Sequence, residues 1–147
     1  MTIRKYENID KQNVLELLRL NTPKYFSKSE ETDLHYYLEN HSENFYLIEK
    51  EGKIVACGGY NIISGRKLAR ISWDIVHPSH QGINIGTKLL LFRIEKIKQI
   101  SSLDMLEVRT SQLAFNYYSK FGFVTKEIIP DYWAIGYDLY RMEQEIT

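Results

Sequence analysis

The chain of 147 residues carries 19 Lys and Arg against 19 Asp and Glu, so its formal net charge at pH 7 is zero. A neutral chain has no global field that attracts nucleic acid or an anionic membrane. The length predicts one domain over residues 1–147, and the apolar runs are too short to cross a bilayer. A single cysteine, Cys57, excludes an intrachain disulfide. With an N-terminus that lacks the apolar core of a signal peptide, this predicts a cytoplasmic protein.

The first part of the chain predicts one short strand and two helices. Residues 3–6 are typical of a strand, and Asp10 can cap a helix whose apolar residues cluster on one side. Ser27 or Ser29 can cap a second helix, which ends near Asn40.

A meander of three strands is predicted next, because three apolar segments are separated by short turns. The first turn contains Glu51-Gly52, a pair typical of tight hairpins. Gly58 and Gly59 mark either a bulge or a close approach of another group to the backbone. The predicted strands cover residues 44–49, 54–63 and 68–76.

The most informative segment is the crossing from the third of these strands into a helix. The strand ends at Val76, Pro78 interrupts it, and a polar turn with Gly82, Asn84 and Gly86 opens into an apolar helix. These residue types tolerate unusual backbone angles and leave room for a ligand at the main chain. The first N–H groups of a helix have no internal acceptor, so such a loop is suited to a phosphate or pyrophosphate. The lysine of a phosphate-binding NTPase loop is missing, which argues against an NTPase.

The rest of the chain predicts a mixed sheet. A strand, a helix and another strand around Gly86 imply a parallel pair, whereas hairpins flank that pair on both sides. Ligands of such sheets bind beyond the carboxyl ends of the strands, where Val76 lies. The remaining predicted elements are strands over 103–109, 124–129 and 137–142, and a helix over 112–120.

Three sequence blocks resemble the GNAT superfamily of acyl-CoA-dependent N-acyltransferases, and they run in that family's order. The family's pyrophosphate loop, Arg/Gln-x-x-Gly-x-Gly/Ala, is similar to Gln81-Gly82-Ile83-Asn84-Ile85-Gly86. Its later block, Asn-x-x-Ala followed after three residues by Tyr-x-x-x-Gly-Phe, is similar to residues 111–123, with Ser111 in the place of asparagine. Residues 131–138 resemble the tail of many protein N-terminal acetyltransferases.

The resemblance implies an α/β (α+β) fold with a mixed, mostly antiparallel sheet of six or seven strands, about four helices and splayed central strands. It implies transfer of acetyl from acetyl-CoA to a primary amine by direct attack in a ternary complex, without a metal. Main-chain N–H groups of the loop would bind the pyrophosphate, and the strand before it would pair with the pantetheine arm. The residues implied in cofactor binding are Ile75, Val76, His77, Gln81, Gly82, Ile83, Asn84, Ile85, Gly86, Thr87, Ser111 and Asn116.

Proton transfer in such a reaction needs an acid for the departing thiolate and a base for the amine. Tyr118 matches the family's general-acid tyrosine, four residues before Gly122. The base is either Glu107, which is similar to the base of ribosomal-protein N-terminal acetyltransferases, or Asp74. Each has a structural alternative: Tyr118 as a core aromatic, and Glu107 as a solvated residue or the partner of Arg109. A main-chain N–H near Val76 would stabilise the oxyanion.

The expected acceptor is a small-molecule amine or a peptide N-terminus, and the assembly state is either monomer or homodimer. Four aromatic residues could form the wall of the acceptor site, although each alone is typical of packing. They are Trp73, Tyr132, Trp133 and Tyr137.

Two other functions stay open at this point. Asn84 and Ser111 depart from the family pattern, which is compatible with an acyl-CoA-binding sensor without catalysis. An RNA-acting toxin of the same superfamily is disfavoured by the zero net charge. His77 and His80 lack a third ligand at a useful spacing, so the sequence predicts no metal site.

Overall fold

The computed structural model describes residues 1–146, which form one mixed sheet with helices on both faces. The strands within these residues are β1 (Thr2–Lys5), β2 (Phe45–Lys50), β3 (Lys53–Ile63), β4 (Leu68–Val76), β5 (Met105–Thr110), β6 (Val124–Ala134) and β7 (Tyr137–Glu145). The helices are α1 (Lys11–Leu20), α2 (Glu30–Asn40), α3 (Ile85–Lys98) and α4 (Phe115–Ser119). The strand order is β1-β2-β3-β4-β5-β7-β6. The predicted mixed, mostly antiparallel sheet is confirmed.

Local sequence accounts for the meander and for the parallel pair. Glu51 and Gly52 both have positive φ, 52° and 76°, which is the backbone of a tight hairpin between β2 and β3. The α3 crossover makes β4 and β5 parallel neighbours, as predicted. Within residues 1–146, no helix is both long and apolar enough to cross a membrane.

Two apolar clusters hold the helices against the sheet. The cluster on the α3 face contains Ile71, Leu106 and Val108 from the sheet together with the buried stripe of α3 and Tyr118. The cluster on the α1–α2 face contains Ile75 and the apolar side of α1, whose residues are all buried as expected. That side of α1 consists of Val14, Leu15, Leu17 and Leu18.

The expected side-chain caps of α1 and α2 are wrong, because other groups compete for them. Asp10 occupies the N-cap position, but its carboxylate accepts hydrogen bonds from the Glu7 N–H and from both terminal nitrogens of Arg4. At α2, the Glu30 carboxylate accepts from the Ser27 N–H at 2.8 Å, whereas neither serine side chain caps the helix.

The C-terminal hairpin is longer than predicted. β6 continues past Pro130 to Ala134, which pairs with Tyr137 around a turn at Gly136. Proline removes a ladder hydrogen bond, and β6 tolerates it because it lies at the edge of the sheet. By contrast, α4 is shorter than the predicted helix, since it begins only at Phe115.

A bulge in β4 decides which face carries its last residues. Cys57 pairs with Ile75 and Gly59 with Ser72, so β4 has one residue more than β3 across this interval. The extra residue lies next to Trp73, whose φ is 54°. The predicted bulge therefore falls on β4, opposite the two glycines. A bulge reverses the alternation of side chains, and here it turns Asp74 towards α3 and α4.

The two central strands separate beyond this bulge. Parallel pairing between β4 and β5 runs from Leu68 with Met105 to Ile71 with Val108. Residues 72–76 of β4 therefore have no strand partner on the β5 side. This opening leads into a cleft.

Candidate active site

The cleft has a volume of about 980 Å³ and receives residues from the loop before α3, from both separated strands, from α4 and from the segment between α1 and α2. It brings together most of the residues predicted for catalysis or cofactor binding. Those that line it are Asp74, Ile75, Val76, Gln81, Gly82, Asn84, Ile85, Gly86, Thr87, Ser111 and Tyr118.

The loop before α3 has the backbone that its sequence predicts. Gly82 has φ of 80°, and Asn84 adopts the left-handed conformation with φ 65° and ψ 14°. Asparagine tolerates this region better than other residues with side chains, so it can take the place of glycine here. The Lys88 N–H donates to the Asn84 carbonyl as the first hydrogen bond of the helix. The N–H groups of residues 85–87 therefore have no acceptor within the helix.

Gly86 is required by a close approach and not by its backbone angles. A Cβ atom at this position would lie 3.1 Å from Cγ2 of Val76 and 3.7 Å from the Tyr117 hydroxyl. That hydroxyl also hydrogen-bonds to Oγ1 of Thr87 at 3.0 Å. The end of β4, the start of α3 and α4 are thus held against one another at this edge of the cleft.

Two main-chain groups that were expected to be free for a ligand have protein partners. The Val76 carbonyl accepts hydrogen bonds from the side-chain amides of Asn21 and Gln81, each at 3.1 Å. The His77 N–H donates to the Val55 carbonyl at 2.8 Å. The open edge of β4 available to a ligand is therefore shorter than predicted.

Asp74 and Tyr118 form a direct hydrogen bond in the cleft. The buried Tyr118 hydroxyl donates to Oδ2 of Asp74 at 2.5 Å. Burial, the negative charge of Asp74 and this hydrogen bond raise the pKa of the Tyr118 phenol well above its usual value of about 10, and the Arg93 charge opposes them. Tyr118 is thus a proton donor at neutral pH, and its acceptor is a carboxylate.

Arg93 completes this cluster, and the sequence interpretation missed it. The Arg93 side chain on α3 is 1% exposed, forms an ion pair with Asp74 and donates to the carbonyls of Gly59 and Leu89. Gly58 leaves room for it, since a Cβ atom there would lie 2.8 Å from the guanidinium carbon. The sequence does contain a sign of this burial, because residue 93 follows Leu89 by four positions and so lies on the apolar stripe of the helix.

Glu107, the other predicted base, lies in a different environment. Its side chain is completely buried on the α1–α2 face, and it accepts a hydrogen bond from Nε of Arg70 at 2.6 Å. Arg109 and Arg141 approach the same carboxylate at 3.5 and 3.7 Å. Glu107 is therefore neither solvated nor part of the cleft lining.

Three of the predicted cofactor residues also lie outside the cleft lining. Ile83 is 53% exposed, Asn116 is exposed, and the His77 imidazole accepts a hydrogen bond from the Ser79 N–H. Ser111 does line the cleft, although its hydroxyl accepts from the Leu113 N–H at 3.2 Å. In the part of the chain that the structure describes, no group of three or more His, Cys, Asp or Glu residues could hold a metal ion.

The four aromatic residues expected at the acceptor site all line the cleft. Trp73 stacks on Phe26 with ring centroids 6.1 Å apart. Nε1 of Trp133 donates to the Thr110 carbonyl at 3.1 Å, and the Tyr137 hydroxyl donates to the Pro23 carbonyl at 2.5 Å. These contacts join the β6–β7 hairpin to β5 and to the segment after α1, which closes this end of the cleft.

Solved structures of acetyltransferases have the same fold. An aminoglycoside 6'-N-acetyltransferase complexed with coenzyme A superposes with a TM-score of 0.79 at 15% identity, covering 100% of this chain and 98% of that chain. Ribosomal-protein-alanine N-acetyltransferase from Brucella melitensis superposes with a TM-score of 0.76 at 18% identity, covering 99% of both chains.

Sequence comparison identifies the family. The amino-acid acetyltransferase of Actinobacillus pleuropneumoniae serotype 5b (strain L20) is 30% identical over 115 residues, which are 73% of this chain and 24% of that protein. The chain thus spans about a quarter of the length of this relative. The model of the acetyltransferase (GNAT) family matches residues 11–123. Because this match covers most of the chain, the protein belongs to the acetyltransferase (GNAT) family.

Proposed function

We propose that the protein is an N-acetyltransferase that moves an acetyl group from acetyl-CoA to a primary amine by direct attack in a ternary complex. The observation that carries this proposal is the hydrogen bond between Tyr118 and Asp74 in the cleft that begins at α3. Such a pair provides the acid and the base that transfer from a thioester to an amine requires. We assign the base to Asp74, since Glu107 is enclosed by arginines and lies outside the cleft lining.

Acetyl-CoA supplies an activated acyl group, and the residues of the cleft fit it. The N–H groups of residues 85–87 would bind the pyrophosphate, aided by the positive end of the α3 dipole. Gly86 has no side chain, so the phosphates could approach its main chain. A Cβ atom at this position would lie close to Val76. The open edge of β4 would pair with the pantetheine amides, and the Val76 N–H would donate to the carbonyl oxygen that gains negative charge.

The two proton transfers are coupled through one hydrogen bond. Asp74 accepts the proton that the amine loses as it forms the new C–N bond. Tyr118 donates its proton to the sulfur as the C–S bond breaks, and it takes the proton held by Asp74 in return. A phenol with a raised pKa is a weak acid by itself, so this return transfer makes its donation favourable. Both side chains regain their starting states, with one proton moved from nitrogen to sulfur.

Arg93 acts as a positioning residue in this scheme. Its guanidinium contacts the Asp74 oxygen that does not face Tyr118, which directs the other oxygen to the phenol. Arg93 is buried and donates hydrogen bonds to two carbonyls, so its guanidinium cannot move far. It therefore holds the Asp74 carboxylate in one orientation.

The acceptor is proposed as a small-molecule amine or a peptide N-terminus, in a cytoplasmic protein whose residues 1–147 form one domain. The names of similar proteins include both classes, since one refers to amino acids and another to a ribosomal-protein alanine. A homodimer is a further proposal, supported by the exposed apolar residues Val124 and Ile128 on the edge strand β6.

The test is turnover of acetyl-CoA with a panel of amino acids, polyamines, amino sugars and peptides. We expect transfer to at least one amine, and a large loss of rate in Tyr118→Phe. Full rate in that variant would contradict the assignment of the acid. Binding of acetyl-CoA by calorimetry without transfer to any amine would favour the alternative, a sensor without catalysis.

The cofactor site is tested separately by a charge placed at Gly86. Glu at this position would repel the pyrophosphate, so Gly86→Glu should abolish CoA binding. Gly86→Gln is the matched control, because it makes the same close approach to Val76 but adds no charge. Retained CoA affinity in Gly86→Glu would overturn the proposed cofactor pose.

A further inference from the structure

We propose that the acceptor carries a carboxylate, bound by Arg109 together with Arg70, and is therefore a free amino carboxylic acid. The inference rests on the proposed function, and it names the substrate class of the same cleft. Both arginines line the cleft, on β5 and β4 respectively.

The Arg109 side chain donates no hydrogen bond to an acid among the described residues. Its Nε atom is buried and has no hydrogen-bond acceptor, although Oε1 of Glu107 lies 3.5 Å away. This distance is too long for a hydrogen bond of good geometry, so Arg109 can still form charge-assisted hydrogen bonds to a second anion through its other nitrogens. The side chain is 31% exposed, which leaves the rest of the guanidinium accessible from the cleft.

The acids around Arg109 are already used by other arginines. Glu107 forms its shortest contact with Arg70 at 2.6 Å, whereas Arg141 has its own acids, Glu127 and Glu143, at 3.0 and 2.5 Å. The two cleft-lining arginines therefore share one carboxylate. Arg109, whose contact with Glu107 is 3.5 Å long, is the more weakly paired of the two.

The two arginines face the same side of the sheet. Arg70 alternates with Ala69 and Ile71, which belong to the cluster on the α3 face, so its side chain projects from the α1–α2 face. By the same alternation Arg109, which follows Val108, also projects from that face. Trp133, at the aromatic end of the cleft, donates to the carbonyl of Thr110, the next residue on β5.

The remaining acids of the cleft complement a zwitterion. Asp74 lies where the amine would lose its proton, and Glu30 and Glu43 also line the cleft. The Glu30 carboxylate already accepts from the Ser27 N–H, and Glu43 contacts the Asn61 amide at 3.4 Å. An acceptor with an amino group and a carboxylate would therefore find acids near its amino group and Arg109 near its carboxylate. An uncharged carboxamide or an internal peptide bond would leave Arg109 without a partner.

The first arm of the test compares acceptors that differ only in this charge. Initial rates are measured for the proteinogenic amino acids, for their α-carboxamides and for tripeptides that begin with the same residue. For the best amino acid we expect kcat/KM about 10-fold to 100-fold above that of its carboxamide, which corresponds to one or two charge-assisted hydrogen bonds. Equal or better turnover of the carboxamide or the tripeptide would overturn the inference.

The second arm assigns the preference to Arg109. In Arg109→Gln the ratio of kcat/KM for acid over carboxamide should fall to about 1. Arg66→Gln is the control, since Arg66 is an exposed arginine in the turn before β4. An unchanged ratio in a folded Arg109→Gln variant would contradict the role of this residue.

The third arm does not depend on transfer. Calorimetric titration of the CoA-saturated protein with the same amino acids and carboxamides measures the carboxylate preference as binding alone. If amino acids bind more tightly than their carboxamides but no acetyl moves, the proposed function fails and the carboxylate site stands. If transfer occurs without this difference, the carboxylate site fails and the proposed function stands.

Discussion

Asp74 and Glu107 are acids on neighbouring strands, each with at least one arginine, and they show how surroundings determine what a carboxylate can do. Asp74 contacts one arginine and the hydroxyl of Tyr118, and 20% of its side chain is exposed to the cleft. Glu107 contacts three arginines and is completely buried, and within residues 1–146 its only side-chain hydrogen bond comes from Arg70. The bulge at Trp73 separates them further, because it turns Asp74 to the opposite face of the sheet.

The difference teaches that a buried acid beside arginines is not by itself a catalytic acid or base. In the proposed mechanism the base needs a proton donor and open space for the substrate beside it, and Asp74 contacts Tyr118 and lines the cleft. Glu107 instead contacts Arg70 and Arg109 and joins these two residues at the wall of the cleft. Four predictions test this distinction.

The largest expected effect is on catalysis by Asp74. We expect Asp74→Asn to lower kcat about 1,000-fold, since the amide can neither accept the amine proton nor return one to Tyr118. Glu107→Gln should keep kcat of the folded protein within about 10-fold, because the base is elsewhere. Steady-state kinetics at saturating acetyl-CoA measure both. The reverse order of effects would move the base to Glu107.

For Glu107 the expected loss is in stability. Removing the charge leaves three partly exposed guanidinium groups without the buried acid that they share, so Glu107→Gln should lower the free energy of unfolding by about 3 kcal/mol, the low end of the range for a broken buried ion pair. Glu127→Gln is the matched control, because Glu127 pairs with Arg141 at the surface and should change stability by less than about 1 kcal/mol. Urea unfolding followed by circular dichroism gives both values. A loss of unfolding free energy in Glu107→Gln as small as that in Glu127→Gln would show that Glu107 does not stabilise the arginines around it.

The next effect concerns Tyr118 and pH. Tyr118→Phe should lower kcat about 100-fold with little change in KM for acetyl-CoA. In the wild type the pKa of Tyr118 is raised, so the phenol stays protonated as the pH rises, and its ionisation should cause no fall of kcat below about pH 10. The pH dependence of kcat checks this. An alkaline decline near pH 8 that disappears in Tyr118→Phe would contradict the raised pKa.

The smallest effect concerns the space for the Arg93 side chain. A Cβ atom at Gly58 would lie 2.5 Å from Oδ1 of Asp74 and 2.8 Å from the Arg93 guanidinium. Gly58→Ala should therefore destabilise the protein by about 1–3 kcal/mol, as overpacking does. It should also lower kcat, because Asp74 must move. Unfolding measurements and kinetics on the same sample test both effects, and an unchanged kcat would remove Arg93 from the positioning role.

Local patterns were sufficient to predict the three-strand meander, the parallel pair and the loop before α3. The order of strands and helices follows from apolar periodicity and from glycines and prolines at the junctions, which act over a few residues. The left-handed Asn84 could also be anticipated, because asparagine is one of few residues that tolerate this conformation. The backbone part of the site was therefore visible in the sequence.

Tyr118 and Asp74 were both candidates, but the contacts among the side chains of the site were not visible, because they join distant segments. A one-residue bulge decides the face of Asp74, and alternation along β4 does not reveal such a bulge. Arg93 was visible as a charge on an apolar stripe, but its partners come from β3 and β4. The burial of Glu107 results from arginines on three strands, of which only Arg109 is near it in sequence.

The most direct test is a double variant. If Asp74 and Tyr118 handle protons as one hydrogen-bonded unit, kcat of Asp74→Asn combined with Tyr118→Phe should equal that of the slower single variant, as for other catalytic groups that act together. Losses that multiply in the double variant would mean that the two side chains act independently, which would contradict the account.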